Sequence, residues 1–164
     1  MLAVPRPTLY LICGKIAAGK STLAKRLSER PLTVLIAEDS WNATLFPDEI
    51  RTIEDYSKYS TRLRQAMGPH VVALLRAGVS VVLDFQANTL AVRRWMKTLV
   101  EESGALHELH ILDVPDETCK ARLRARNAGG EHPYQVTDAE FDLFTKHFVA
   151  PTADEGFNMV VHAG

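Results

Sequence analysis

Short apolar runs alternate along the chain with longer stretches in which apolar residues recur at every third or fourth position. The longer stretches are typical of helices that bury one face, and the short runs have the length of buried strands. This alternation predicts a three-layer α/β fold, in which a mainly parallel sheet of five strands carries helices on both faces. The predicted strands are Leu9–Cys13, Thr33–Ala37, Val79–Leu83, Leu106–Val114 and Asn158–His162.

Prolines predict the limits of two helices. Pro69 follows Gly68 inside the long helical stretch that begins near Thr52, and we expect the pair to kink or divide that helix. Pro115 is expected as the first residue of a later helix, because a missing N–H costs nothing at that position. This later helix is expected to end near Arg126, before a polar segment that contains two adjacent glycines.

The most informative stretch directly follows the first predicted strand. It reads Gly-Lys-Ile-Ala-Ala-Gly-Lys-Ser, which fills the phosphate-loop pattern of Gly, four residues, Gly-Lys and Ser or Thr. A chance match is the alternative, but the strand before the motif and the helix after it are the context that the motif requires. The residues predicted to bind a nucleotide are Gly14, Lys15, Ile16, Ala17, Ala18, Gly19, Lys20, Ser21 and Thr22.

Each residue type in this loop has a chemical reason. Glycines let the backbone curl so that successive N–H groups point at one centre, and the helix N-terminus adds partial positive charge. Lys20 is predicted to reach the outer phosphates, and the Ser21 hydroxyl to coordinate Mg²⁺. Asp84 ends the third predicted strand and is predicted to be the acidic partner of that metal; the alternative is a helix cap or a turn residue.

A second candidate group follows the second predicted strand. Asp39 is placed where a carboxylate could accept a proton from an acceptor hydroxyl, although Asp39 or Ser40 could instead cap the short helix that follows. Trp41 is either a wall of an acceptor pocket or part of the core.

Basic residues close the list of candidates. Arg122 and Arg126 are one helical turn apart and run into the glycine-containing segment, so we predict that at least one of them acts from a lid at about residues 126–137. The alternative is a solvated basic face at a helix C-terminus, which the helix dipole favours in any case.

Composition excludes several classes of protein. The chain has 164 residues, of which 46% are hydrophobic, and it is expected to form a single domain, 1–164. A net charge of −1 gives no electrostatic argument for nucleic acid, and no apolar run approaches a membrane span. The first residues lack the apolar core of a signal peptide, and two cysteines suit buried thiols in a reducing cytoplasm.

The chain resembles the small P-loop kinases related to adenylate, gluconate and shikimate kinases, and especially the zeta-toxin-like ATP-binding proteins. The resemblance covers most of the chain and rests on Gly14–Ser21, Glu38–Trp41, Leu83–Phe85 with Asn88 and Arg93, and Arg122–Arg126. It implies that Asp39 is the catalytic base, and that the substrate is bound by Asp39, Trp41, Asp84, Asn88 and Arg93. Where zeta-type proteins commonly have a basic residue three positions after that base, this chain has Asn42.

Motifs and resemblance together predict a cytoplasmic phosphotransferase that uses ATP and Mg²⁺ and acts on a small hydroxyl- or phosphate-bearing molecule. Two alternatives remain at the level of sequence. One is a nucleotide-dependent regulatory ATPase or switch, in which the same loop drives a conformational change. The other is a zeta-toxin-like kinase of a nucleotide sugar.

Overall fold

The computed structural model describes residues 6–130 and 135–164, and a five-stranded sheet organises them. The strands are β1 (Thr8–Cys13), β2 (Thr33–Ala37), β3 (Ser80–Gln86), β4 (Leu106–Asp113) and β5 (Met159–Ala163). Their order across the sheet is β2-β3-β1-β4-β5, and every neighbouring pair is parallel. The predicted sheet is confirmed, and it is parallel at each pairing.

Helices connect the strands. They are α1 (Lys20–Ser28), α2 (Glu38–Leu45), α3 (Ile53–Arg76), α4 (Leu90–Ser103), α5 (Asp116–Gly129) and α6 (Asp138–Lys146), with a short 3-10 turn at Ala153–Glu155. Among the described residues, no helix combines the length with the apolar character that a bilayer span needs.

The central strand β1 divides the core between the two faces of the sheet. Leu9 and Leu11 pack in one cluster with residues of α3 and α4, whereas Tyr10 and Ile12 pack with residues of α1. Because successive side chains of a strand point to opposite faces, a strand that is covered on both sides must be apolar throughout. The helices therefore lie on both faces of the sheet, as predicted.

The structure corrects the prediction for α3. This helix runs unbroken from Ile53 to Arg76 with Pro69 inside it. The expected division at Gly68 and Pro69 does not occur. A Cβ on Gly68 would lie only 3.4 Å from the Trp95 indole nitrogen of α4, so the glycine allows close contact between the two helices. Packing of this buried face holds the helix together where propensity alone would break it.

Helix α5 differs from expectation at both ends. Pro115 is its N-cap rather than its first residue, and the helix continues to Gly129, three residues beyond the predicted end at Arg126. The first residues of the expected lid are thus helical. Residues 131–134, at the centre of the expected lid 126–137, lie outside the described part of the chain.

Candidate active site

A cleft of about 950 Å³ opens at the carboxyl ends of the central strands. In open parallel sheets this edge is where ligands bind, because the loops that follow the strands meet there. One end of the cleft, the loop end, is lined by residues 16–22. The other end, the α2–α3 end, includes Glu38, Asp39, Asn42 and Tyr56. Asp84, Arg122 and Arg126 also line the cleft.

The loop that joins β1 to α1 has the backbone geometry of a tight turn. Gly19 is the N-cap of α1 and has φ 106°, in the left-handed region that favours glycine. Lys20 begins α1, and its Nζ donates hydrogen bonds to the backbone oxygens of Gly14 at 2.7 Å and Lys15 at 2.8 Å. Burial lowers the pKa of Lys20, while the charges of Asp84 and Asp39 act in the opposite direction.

Ser21 and Asp84 meet across the cleft floor. The Ser21 hydroxyl donates to Asp84 Oδ2 at 3.2 Å, which joins the first turn of α1 to the end of β3. Burial raises the pKa of Asp84, and nearby Lys20 partly offsets this. A hydroxyl and a carboxylate are oxygen donors of the kind that Mg²⁺ prefers, so the pair fits that ion.

Asp39 follows the end of β2 by two residues and lies in the first turn of α2. The N-cap of α2 is Ala37, and no side chain caps the helix, so neither Asp39 nor Ser40 acts as a cap. Burial lowers the pKa of both Lys20 and Arg126, and the Asp39 charge partly offsets this. Asp39 is thus coupled electrostatically to the loop and to α5.

The basic helix α5 presents different residues to two neighbours. Arg122 donates to the backbone oxygen of Ala18 at 3.3 Å, and Arg126 also lines the cleft. Burial lowers the pKa of Arg126, whose Nε has no hydrogen-bond partner among the described residues. Arg124 instead pairs with Asp138 of α6. A buried, unpaired guanidinium N–H is suited to receive an anionic ligand.

Three residues named by the resemblance, Trp41, Asn88 and Arg93, lie outside the cleft lining. Trp41 is 41% exposed. Arg93 is 1% exposed and binds Glu155 through Nε at 2.6 Å, while its Nη1 donates to the backbone oxygens of Ala87 and Val149. The structure therefore uses Arg93 to hold the chain around β3 against the C-terminal segment.

Asn88 contacts the loop itself. Its Oδ1 accepts from Gly14 N at 3.0 Å, and its Nδ2 donates to Gly14 O at 2.8 Å. The side-chain amide thus satisfies both backbone groups of the first loop residue, as a neighbouring strand would. Its position supports the loop.

Sequence reasoning missed a polar network at the α2–α3 end, the Glu38 network, formed by Glu38, Asn42, Tyr56 and Ser60. Tyr56 donates its hydroxyl to Glu38 Oε1, which Ser60 also reaches at 3.4 Å. Asn42 Nδ2 donates to Ser60 Oγ at 3.1 Å. Burial raises the pKa of Glu38 to about 7. The available signal was spacing, since each helix contributes two polar residues four positions apart, on one face.

The fold and the loop are those of P-loop kinases. A family model described as an AAA domain matches residues 9–151, and the chain belongs to this AAA-domain family. No curated protein shows a significant match to the chain.

Three solved structures illustrate the similarity. A Chloroflexus aurantiacus protein assigned as a kinase has a TM-score of 0.76 at 18% identity, with 97% of this chain and 89% of that chain covered. The Mycobacterium tuberculosis APS kinase in complex with AMPPNP and APS has a TM-score of 0.64 at 18% identity, with coverage of 97% and 89%. A structure from the PezAT toxin–antitoxin system of Streptococcus pneumoniae has a TM-score of 0.69 at 14% identity, with coverage of 96% and 69%. At these identities the similarity establishes the fold.

Proposed function

We propose that this protein transfers the γ-phosphoryl group of ATP to a small acceptor that carries a hydroxyl or phosphate group. The observation that carries the proposal is the composition of the single cleft described above. It joins a phosphate-binding loop with Lys20, the Ser21–Asp84 pair, a carboxylate at Asp39 and the half-buried Arg126. These are the parts that phosphoryl transfer requires, because its catalysis is mostly positioning and charge stabilisation.

The loop end is proposed to hold the nucleotide. Backbone N–H groups at the start of α1 and the helix dipole attract the phosphates. Lys20 exchanges its bonds to the loop oxygens for bonds to phosphate oxygens, which compensate its buried charge. Ser21 and Asp84 would hold Mg²⁺, which neutralises charge on the phosphates when it is bound.

The α2–α3 end is proposed to hold the acceptor. Asp39 accepts the proton of the acceptor hydroxyl as that oxygen bonds to the γ-phosphorus, and the bond from that phosphorus to the bridging oxygen breaks to release ADP. Arg126, assisted by Arg122, donates to the transferring oxygens, where negative charge is greatest. The AAA-domain family and the AMPPNP complex of an APS kinase with this fold support the nucleotide assignment.

The first experiment tests the loop with Lys20→Ala and, as a matched control, Lys25→Ala, which removes an exposed lysine of the same helix. We expect wild type and Lys25→Ala to bind Mg·ATP in calorimetry and to transfer labelled phosphate in a pooled-metabolite screen. Lys20→Ala should lose transfer, and EDTA should abolish it in every variant. Wild-type turnover in Lys20→Ala would contradict the proposal.

The same screen separates the two alternatives. Slow ATP hydrolysis without any acceptor would favour a regulatory ATPase. Labelling of a nucleotide sugar would identify a zeta-toxin-like substrate.

We also propose a cytoplasmic location. The two cysteines, Cys13 and Cys119, are buried and unpaired, and burial raises the pKa of Cys13 to about 11. Free thiols persist in a reducing compartment. Fractionation of the native host, with the protein detected by antibody, tests this proposal; recovery outside the cytoplasmic fraction would contradict it.

A further inference from the structure

The Glu38 network is not used by the mechanism proposed above, although it forms part of the cleft wall next to Asp39. We propose that this network binds a second hydroxyl group of the acceptor, and that the acceptor is therefore a polyhydroxylated molecule with neighbouring hydroxyls. This inference rests on the proposed function and narrows its substrate class.

Among the described residues, one oxygen of the Glu38 carboxylate has hydrogen-bond partners and the other has none. Oε1 accepts from Tyr56 and Ser60, and these contacts hold the carboxyl group in place. Oε2 makes no hydrogen bond to another residue in the described ranges, and Glu38 lines the cleft although it is only 2% exposed. A buried carboxylate normally has partners for both oxygens, so Oε2 is positioned to accept from a ligand.

Asn42 supplies a second, independent observation. It is 1% exposed and lines the cleft, and its Oδ1 is a buried acceptor with no partner in the described part of the chain. An unsatisfied buried acceptor is costly, and native proteins nearly always pair such atoms. Glu38 and Asn42 are four residues apart on α2, on one helix face. The network therefore has two acceptor atoms, on one face of α2, that lack a partner among the described residues.

The chemistry of these atoms selects the ligand group. Two acceptors disfavour a phosphate or carboxylate and require a donor, such as a hydroxyl or an ammonium group. Burial raises the pKa of Glu38 to about 7, so the carboxyl group is partly neutral near neutral pH and is a poor counter-ion for a cation. A hydroxyl suits both protonation states, because it can donate and accept.

Glu38 is next to Asp39 in the sequence, which is why the two hydroxyls of the acceptor are proposed to be neighbours. Both residues lie in the first turn of α2 and both line the cleft. Because both side chains line one cleft, an acceptor that binds Glu38 through one hydroxyl would present a neighbouring hydroxyl towards Asp39. Side chains with perturbed pKa values cluster at functional sites, and Glu38 lies on the cleft wall with a raised pKa.

The test is steady-state transfer from Mg·ATP to D-glucose, 2-deoxy-D-glucose, D-glucosamine, D-ribose, 2-deoxy-D-ribose and AMP. For an accepted sugar, we expect Glu38→Gln to raise the acceptor KM by about tenfold, with a much smaller change in kcat and in the KM for ATP. 2-Deoxy-D-ribose, whose furanose ring has no pair of neighbouring hydroxyls, should have the same KM with wild type and Glu38→Gln, because the interaction that the substitution removes is already missing. Glu101→Gln, an exposed position on α4, is the matched control.

A second variant, Glu38→Met, keeps the length of the side chain but removes every polar atom, and it should raise the sugar KM further. Thermal unfolding confirms that each variant is folded. Equal losses for D-ribose and 2-deoxy-D-ribose would overturn the inference, as would phosphorylation of 2-deoxy-D-ribose but not of D-ribose. In these cases the kinase proposal survives. Failure of wild type to transfer phosphate to any acceptor would overturn both.

Discussion

At the loop end of the cleft, eight consecutive residues from Gly14 to Ser21 provide the turn, the lysine and the hydroxyl. At the α2–α3 end, the corresponding polar groups come from two helices, with Glu38 and Asn42 on α2 and Tyr56 and Ser60 on α3. The loop end depends on local backbone geometry, whereas the α2–α3 end depends on how two helices pack. A phosphate group is common to every nucleotide, but an acceptor differs between enzymes. Under the proposed function, the residues that bind the nucleotide are consecutive in the sequence, whereas those that select the acceptor are brought together by helix packing.

The substitution with the largest expected effect separates the two ends. Asp39→Asn should bind Mg·ATP almost as tightly as wild type, yet transfer phosphate more slowly by about 10²–10⁴-fold, because a general base contributes on that scale. Calorimetry and single-turnover transfer measure the two properties. Asp48→Asn, a substitution at an exposed position outside the cleft lining, is the control. Transfer at the wild-type rate in Asp39→Asn would remove Asp39 from the mechanism.

Two arginines of α5 allow a residue that lines the cleft to be compared with one that binds another helix. Arg126→Ala should reduce kcat by about 10–10³-fold, because removing one charged donor from a developing phosphoryl charge costs a few kcal/mol. Arg124→Ala, at the residue that binds Asp138, should change kcat by less than about threefold, since an exposed ion pair contributes little. If both variants lose activity equally, the assignment of Arg126 to the cleft chemistry is wrong.

The raised pKa of Glu38, at the α2–α3 end, predicts that the stability of the protein depends on pH. The folded state raises this pKa from 4.5 to about 7, chiefly by desolvation, so folding favours the protonated carboxyl group. The contribution of Glu38 to the free energy of unfolding is therefore fully present below pH 4.5, and it is lost as the pH rises through about 7. Glu38→Gln lacks this titration. Urea unfolding at pH 5 and pH 8 should show the variant gaining roughly 2–3 kcal/mol relative to wild type at the higher pH. A difference that does not change with pH would show that Glu38 is not buried as described.

The smallest effect is expected at Trp41. Its side chain is 41% exposed and lies outside the cleft lining, so Trp41→Ala should change the acceptor KM by less than about twofold. Steady-state kinetics on the acceptor from the screen measures this. A large rise in KM would place the indole on the acceptor, as the resemblance implies.

The fold was predictable because its signals are local. Buried strands are short apolar runs, surface helices have apolar residues at helical spacing, and the alternation of the two leaves few topologies for a parallel sheet. The Gly14–Ser21 loop was predictable for the same reason, since its function resides in consecutive residues. Pro69 shows the limit of local signals: tertiary packing of α3 against α4 keeps helical a segment that local propensity would break.

Only the tertiary structure decided where separate side chains meet. Arg93 and Asn88 were named with the substrate, but burial pairs Arg93 with Glu155 and places Asn88 against Gly14. The sequence equally could not distinguish Arg126, which lines the cleft, from Arg124, which binds α6. The Glu38 network depends on the packing of α2 on α3, a long-range contact that periodicity does not contain. The sequence alone determined the sheet and the phosphate loop, while the packing of helices determined which polar residues share the cleft.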